Sequence, residues 1–195
     1  GIIGKAQKTT VNKCFNKGAI TIKDITSSHV GGIVGTTSAA TTIKNCANTG
    51  AIDAVCQVGG IVCTNTSTQA LSNCFNYANL KGSNGVGGIC YSSQKPISNC
   101  YFYGEISASN LSLAAAICYT ASSNIEYCYY QNNCCPLITH SSSISTTYCY
   151  ALSSPTTITG GTSLAKTLNN NITSLNLTDA LRWEEQDGIV TFVEQ

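Results

Sequence analysis

Apolar and polar residues alternate in short runs along most of this 195-residue chain, and no repeat copy holds the 3.6-residue period of a long amphipathic helix. The runs are rich in Ile, Val and Thr and are bounded by clusters of Gly, Asn, Ser and Thr, which is the pattern of short strands. From Cys46 onward, Cys46, Asn48, Gly50 and Ile52 share one face by the period of two, and Ala47, Thr49 and Ala51 share the other. The same phase keeps returning. Gly31-Gly32-Ile33-Val34 is followed after 28 residues by Gly59-Gly60-Ile61-Val62, and Gly87-Gly88-Ile89-Cys90 and Ala115-Ala116-Ile117-Cys118 continue at the same step. A second element recurs between them. It runs Val11–Ile20, Ile43–Ile52, Leu71–Leu80 and Ile97–Ile106, with worn copies starting at Ile125 and ending at Tyr150.

A fixed period of this size marks one supersecondary unit stacked on copies of itself, because a single copy cannot bury its own apolar face. The expected fold is all-β: a parallel β-solenoid of about 28-residue coils, each with three short strands and three corners, stacked about 4.8 Å apart. The glycine pairs are expected at corners where the backbone turns or packs closely. An all-β sandwich would not need the same residues at the same phase.

Repetition fades after Cys128, where Asn132-Asn133-Cys134-Cys135-Pro136 breaks the pattern. Residues 1–153 are therefore read as solenoid and 154–195 as a small, non-repetitive α+β cap over an exposed core end. Within the cap, Ser163 is placed to start a helix over Leu164–Leu168, and Thr178 to start a second through Trp183. Gly188 precedes the strand-like Ile189–Val193, and Trp183 is the expected anchor. The opening Gly1-Ile2-Ile3-Gly4 reads as the end of a Gly-Gly-Ile-Val-Gly element already under way, so the chain is expected to start within a repeat of a longer protein.

Charge narrows the functions. Charged residues are 10% of the chain against roughly 25% in an ordinary soluble domain, and the net charge is +1 without any Lys/Arg run. Nucleic acid is therefore not an expected partner. No segment has the roughly 18 apolar residues of a membrane span. The polar surface of Ser, Thr, Asn and Gly suits glycans or neighbouring chains.

The elements Gly31–Gly35 and Ile43–Ile52 resemble GLUG-type repeats, over about residues 1–130. That resemblance implies an extracellular repeat region of the kind found in large surface and adhesin-like proteins, and it brings no catalytic motif. Ala115-Ala116, where glycine is expected, is a departure from the pattern.

Twelve cysteines without Met also fit an oxidising setting. Cys14, Cys46, Cys74, Cys100 and Cys128 share one phase and should form a column; Cys90 and Cys118 share another. In-register strands align Cβ vectors side by side, which is awkward for a disulfide, and five cannot pair completely. The column is read as buried thiols, with disulfides expected among the off-phase Cys56, Cys63, Cys134, Cys135 and Cys149. A metal or other cofactor is not expected: Cys134-Cys135 lacks a second pair at zinc-like spacing, and neither His29 nor His140 stands in a zinc-ligand pattern in the sequence. Asp24, Asp53, Glu105 and Glu126 fall in different coils and phases, so no acid pair and no catalytic residue is proposed.

Asn65, Asn110, Asn171 and Asn176 head N-glycosylation sequons. Phe15, Phe75, Tyr101 and Tyr129 follow the cysteines and should form an outward column, available either for packing under a loop or for gripping a sugar polymer. The expected function is a structural or adhesive module of an extracellular surface protein, a stiff spacer or filament subunit that associates end to end or continues the solenoid. The alternatives are a carbohydrate-binding module and the non-catalytic region of a secreted enzyme.

Overall fold

A computed structural model describes residues 1–24, 29–67 and 69–193, apart from the side chain of Leu111. The chain is a β-solenoid of about four turns, with one small helix. Val34, Val62, Cys90 and Cys118 are register partners in one sheet, and all inter-coil pairs up to Tyr150 are parallel. Each regular coil holds five short strands where three were expected. In the coil starting at His29 these are His29–Gly31, Val34–Ser38, Thr42–Lys44, Ala47–Asn48 and Ile52–Ala54. Strands stay short because two kinds of corner interrupt them.

The first corner is the glycine pair. None of the repeat's glycine pairs, Gly31-Gly32, Gly59-Gly60 and Gly87-Gly88, has a positive φ, so backbone freedom is not what selects them. Space is. A methyl group on Gly60 would overlap the Gly88 carbonyl oxygen of the next coil and the side chain of Asn76. Ala115-Ala116 is accommodated, fully buried, where the following coil departs from the pattern and Ala116 N–H bonds to Leu137 O at 2.8 Å.

The second corner precedes each column cysteine. Lys13, Asn45, Asn73, Asn99, Tyr127 and Tyr148 all have φ between 50° and 55°, the left-handed region that Asn tolerates better than most side chains. Inside, Ile33, Ile61, Ile89 and Ile117 stack with no exposure, alongside Ile43, Leu71, Ile97 and Ile125. Polar ladders accompany them. Asn16 Nδ2 donates to Asn48 Oδ1 at 2.7 Å, Asn48 to Asn76 at 2.9 Å, and Asn76 to Gly88 O at 3.0 Å. Thr37 and Ser93 flank Asn65 in the same way at 2.7 and 3.3 Å. Buried amides stay hydrogen-bonded by pairing with polar groups of the neighbouring coils.

Parallel pairing ends at Tyr150–Ser154, whose other edge pairs antiparallel with Thr157–Ile158, and that strand with Thr162–Ser163. The helix that follows is longer than expected, Leu164–Ser174, and the Ser163 hydroxyl accepts from Lys166 N–H as its N-cap. The second expected helix is not formed. Asp179 takes φ 57°, the segment runs on without helix, and Trp183–Gln186 is instead a strand. It pairs antiparallel with Ile189–Phe192 across the two-residue turn Asp187-Gly188, both at positive φ, which is the turn chemistry of a tight hairpin. Helix and hairpin do not plug an end of the solenoid. They lie back along its flank as a strap, with Trp183 against Phe75, Tyr101 and Phe192.

Candidate functional site

Three axial arrays run side by side down this flank, one for each position of the Asn-Cys-aromatic triplet. The central array is the cysteine column. Each thiol donates to the carbonyl two residues before it: Cys46 to Lys44 O at 3.1 Å, Cys74 to Ser72 O at 3.1 Å, Cys100 to Ser98 O at 3.2 Å. Cys14, Cys128 and Cys149 repeat the bond at 3.6, 3.4 and 3.5 Å. The strand register that pairs Tyr129 with Tyr150 brings Cys149 onto Cys128, so the column has a sixth member that spacing alone left off-phase. The link from 131 to 147 is shorter than a regular coil, which hides the match. Burial pushes the Cys74 and Cys128 thiols well up. All twelve cysteines are free thiols.

The array before it is an asparagine ladder, passed over in the sequence because Asn is common in this chain. Asn45 Nδ2 donates to Asn12 Oδ1 at 2.7 Å, Asn73 to Asn45 at 2.7 Å, and Asn99 to Asn73 at 2.8 Å. The remaining donors and acceptors point out to the strap. Asn45 Nδ2 reaches Asp179 O at 2.9 Å and its Oδ1 accepts from Leu181 N–H at 2.9 Å. Asn73 Nδ2 reaches Leu181 O at 3.0 Å, and its Oδ1 accepts from Trp183 Nε1 at 2.8 Å. Asn171 of the helix closes the ladder on Asn99 Oδ1 at 3.2 Å. Every hydrogen-bonding position of the Asn45 and Asn73 carboxamides is filled.

The third array is the aromatic column, in register from Phe15 through Ala47, Phe75, Tyr101 and Tyr129 to Tyr150. It does face outward from the coil, but the strap covers it. Phe75, Tyr101 and Tyr129 are buried, with the Tyr101 hydroxyl on Val190 O and the Tyr129 hydroxyl accepting from Asn171 at 2.8 Å. These three rings have no surface left for a sugar. Phe15 alone of the four stays open, 47% exposed in a groove of about 810 Å³ shared with Lys17, Thr49, Asp187 and Phe192.

The sequons divide the same way. Asn65 is 2% exposed and bonded to Thr37 and Ser93, and Asn171 is 5% exposed within the helix. Neither is an accessible acceptor in the folded chain, whereas Asn110 and Asn176 are exposed. Of the remaining cysteines, Cys56 and Cys63 are buried, and burial pushes Cys63 up to about 12. Cys134 and Cys135 face each other, Sγ to Sγ, at 3.7 Å. Among the described residues no three His, Cys, Asp or Glu side chains are grouped to hold a metal ion, and no helix is long and apolar enough to cross a membrane. Asp53 pairs with Lys81 at 3.2 Å on the surface.

Further aromatic stacks lie off the triplet column, and no motif in the sequence marks them. Tyr91 and Tyr119 are 5.3 Å apart with His140 beyond, and Tyr77 lies 5.4 Å from Tyr103. Each pair is repeated at the step between neighbouring coils, a signal visible only once the register is fixed. Compared with known protein families, curated proteins and solved structures, the chain matches none.

Proposed function

We propose that this chain is a structural or adhesive repeat module of an extracellular surface protein, a stiff spacer or filament subunit. One observation carries the reading most directly. The chemistry-bearing side chains of the repeat are taken up by the rod itself: Asn bonds along the axis to the neighbouring coil or out to the strap, and the buried Cys thiols bond to carbonyls two residues back in their own coil. The resemblance to GLUG-type repeats supports the extracellular setting. Asn110 and Asn176 are the positions where a glycan would be carried. The strands Ile3–Gln7, Thr10–Asn12, Phe15–Asn16 and Ile20–Ile22 are edges of their sheets, and such edges favour end-to-end self-association or continuation.

Antibody labelling of the source cells tests the setting: staining of intact cells is expected, and staining only after permeabilisation contradicts it. Light scattering against concentration tests association, with mass rising above the monomer as the expected result. A carbohydrate-binding reading is favoured by the open Phe15 ring alone. A glycan array comparing the chain with Phe15→Ala decides it, since glycan contact at this ring requires signal that the variant loses.

A further inference from the structure

Cys134 and Cys135 differ from the other ten thiols in kind. Cys134 N–H bonds back to Gln131 O at 3.3 Å, closing a turn through Asn133 at φ 63°. That turn sets the two sulfurs 3.7 Å apart on adjacent residues, with Cys134 against the core and Cys135 half-buried beside the exposed Leu137. Cys135 Sγ also reaches Leu137 O at 3.4 Å. Cys46, Cys74, Cys100 and Cys128 are fully buried and closed to solvent.

From this geometry we propose that Cys134-Cys135 is a redox-active vicinal dithiol, which low-molecular-weight disulfides convert to a vicinal disulfide. Cys135 is the entry point. The Cys134 thiol donates to it and lowers its pKa against the opposing effect of burial, whereas Cys14 and Cys149, the other half-buried thiols, are pushed up. A thiolate, not a thiol, attacks a disulfide. The Cys135 thiolate attacks one sulfur of R–S–S–R, the S–S bond breaks, and R–S⁻ leaves and takes up a proton. Cys134 then gives its proton to solvent and attacks Cys135 Sγ, expelling the second thiolate. Two protein thiols are oxidised and one small disulfide is reduced to two thiols. The turn so altered carries Leu137 and Ile138, whose carbonyls receive the N–H groups of Ala116, Ile117 and Cys118, so the last coil senses the change.

The test treats the full chain with glutathione disulfide, quenches by alkylation and maps the cysteines by mass spectrometry. The expected product is a peptide about 2 Da lighter, with Cys134 and Cys135 unalkylated and no other oxidised pair formed early. In Cys134→Ser the reaction should stop at a stable mixed disulfide on Cys135. In Cys135→Ser, thiolation of Cys134 should be at least about tenfold slower, since the activated sulfur is gone. Circular dichroism confirms that each variant is folded. Thiolation of Cys14 or Cys149 as fast as Cys135, equal rates in the two variants, or no vicinal bond in the unaltered chain would overturn the proposal.

Discussion

The left-handed corners that the strap covers and those it leaves open have the same backbone but different side chains. The covered corners are Asn45, Asn73 and Asn99; the open ones are Tyr127 and Tyr148, at the same φ, although Tyr129, two residues past the first of these, is still covered. The asparagines are buried and bonded in two directions, along the axis and out to Asp179, Leu181, Trp183 and Asn171. The tyrosines stack at 4.7 Å, and Tyr148 is 53% exposed. Coil geometry therefore fixes the conformation, and the neighbour outside the coil selects the residue. A carboxamide suits a corner that must join two partners in a dry interface; a ring suits one that meets water on one side.

The strongest way to break this contrast is Trp183→Ala. It removes a ring packed on Phe75, Tyr101 and Phe192 together with the bond to Asn73, and should cost about 3–5 kcal/mol in denaturant unfolding. Hydrogen exchange should then show lost protection in the strap and in Asn73–Tyr103, with the corner amides of Tyr127 and Tyr148 unchanged. Asn73→Ala comes next. Its four partners lose their counterpart in a buried setting, so about 2–3 kcal/mol is expected.

Alkaline titration probes the same cover. Burial pushes Tyr129 up to about 12 while its bond to Asn171 pulls the other way, so the folded state holds this proton more tightly than the unfolded chain, whose tyrosine titrates near 10. The stabilisation is complete below about pH 10 and is lost as pH rises toward about 12, on the order of 1–2 kcal/mol from this group. Thermal melts across that range should show the midpoint falling, and Tyr129→Phe should remove part of the fall. The smallest effect is expected for Tyr127→Asn, beyond the strap. The corner tolerates Asn, no partner is left buried, and the change should stay within about 0.5 kcal/mol.

The repeat, its parallel stacking and the inward face of Cys46, Asn48, Gly50 and Ile52 could be read from the chain, because period and phase are local properties of a sequence. What lay beyond reach depended on contacts far apart in it. Trp183 and Asn73 are more than a hundred residues apart, and nothing in the aromatic column marks Phe75, Tyr101 and Tyr129 as covered and Phe15 as open. The same holds for the sequons, since Asn65 and Asn110 look alike until burial separates them. The segment Thr178–Trp183 reads as a capped helix by local rules, yet its backbone N–H and C=O groups are taken by the asparagine ladder. Cys149 was misplaced for the opposite reason: the irregular link before it conceals a regular position.

Differential alkylation of the purified, unreduced chain tests the central claim that the repeat's cysteines are interior packing. Cys46, Cys74, Cys100 and Cys128 should resist labelling in the native protein and label completely, without reductant, once it is denatured. Recovery of any of these four in a disulfide, or labelling in the native state at the rate of Cys135, would contradict it.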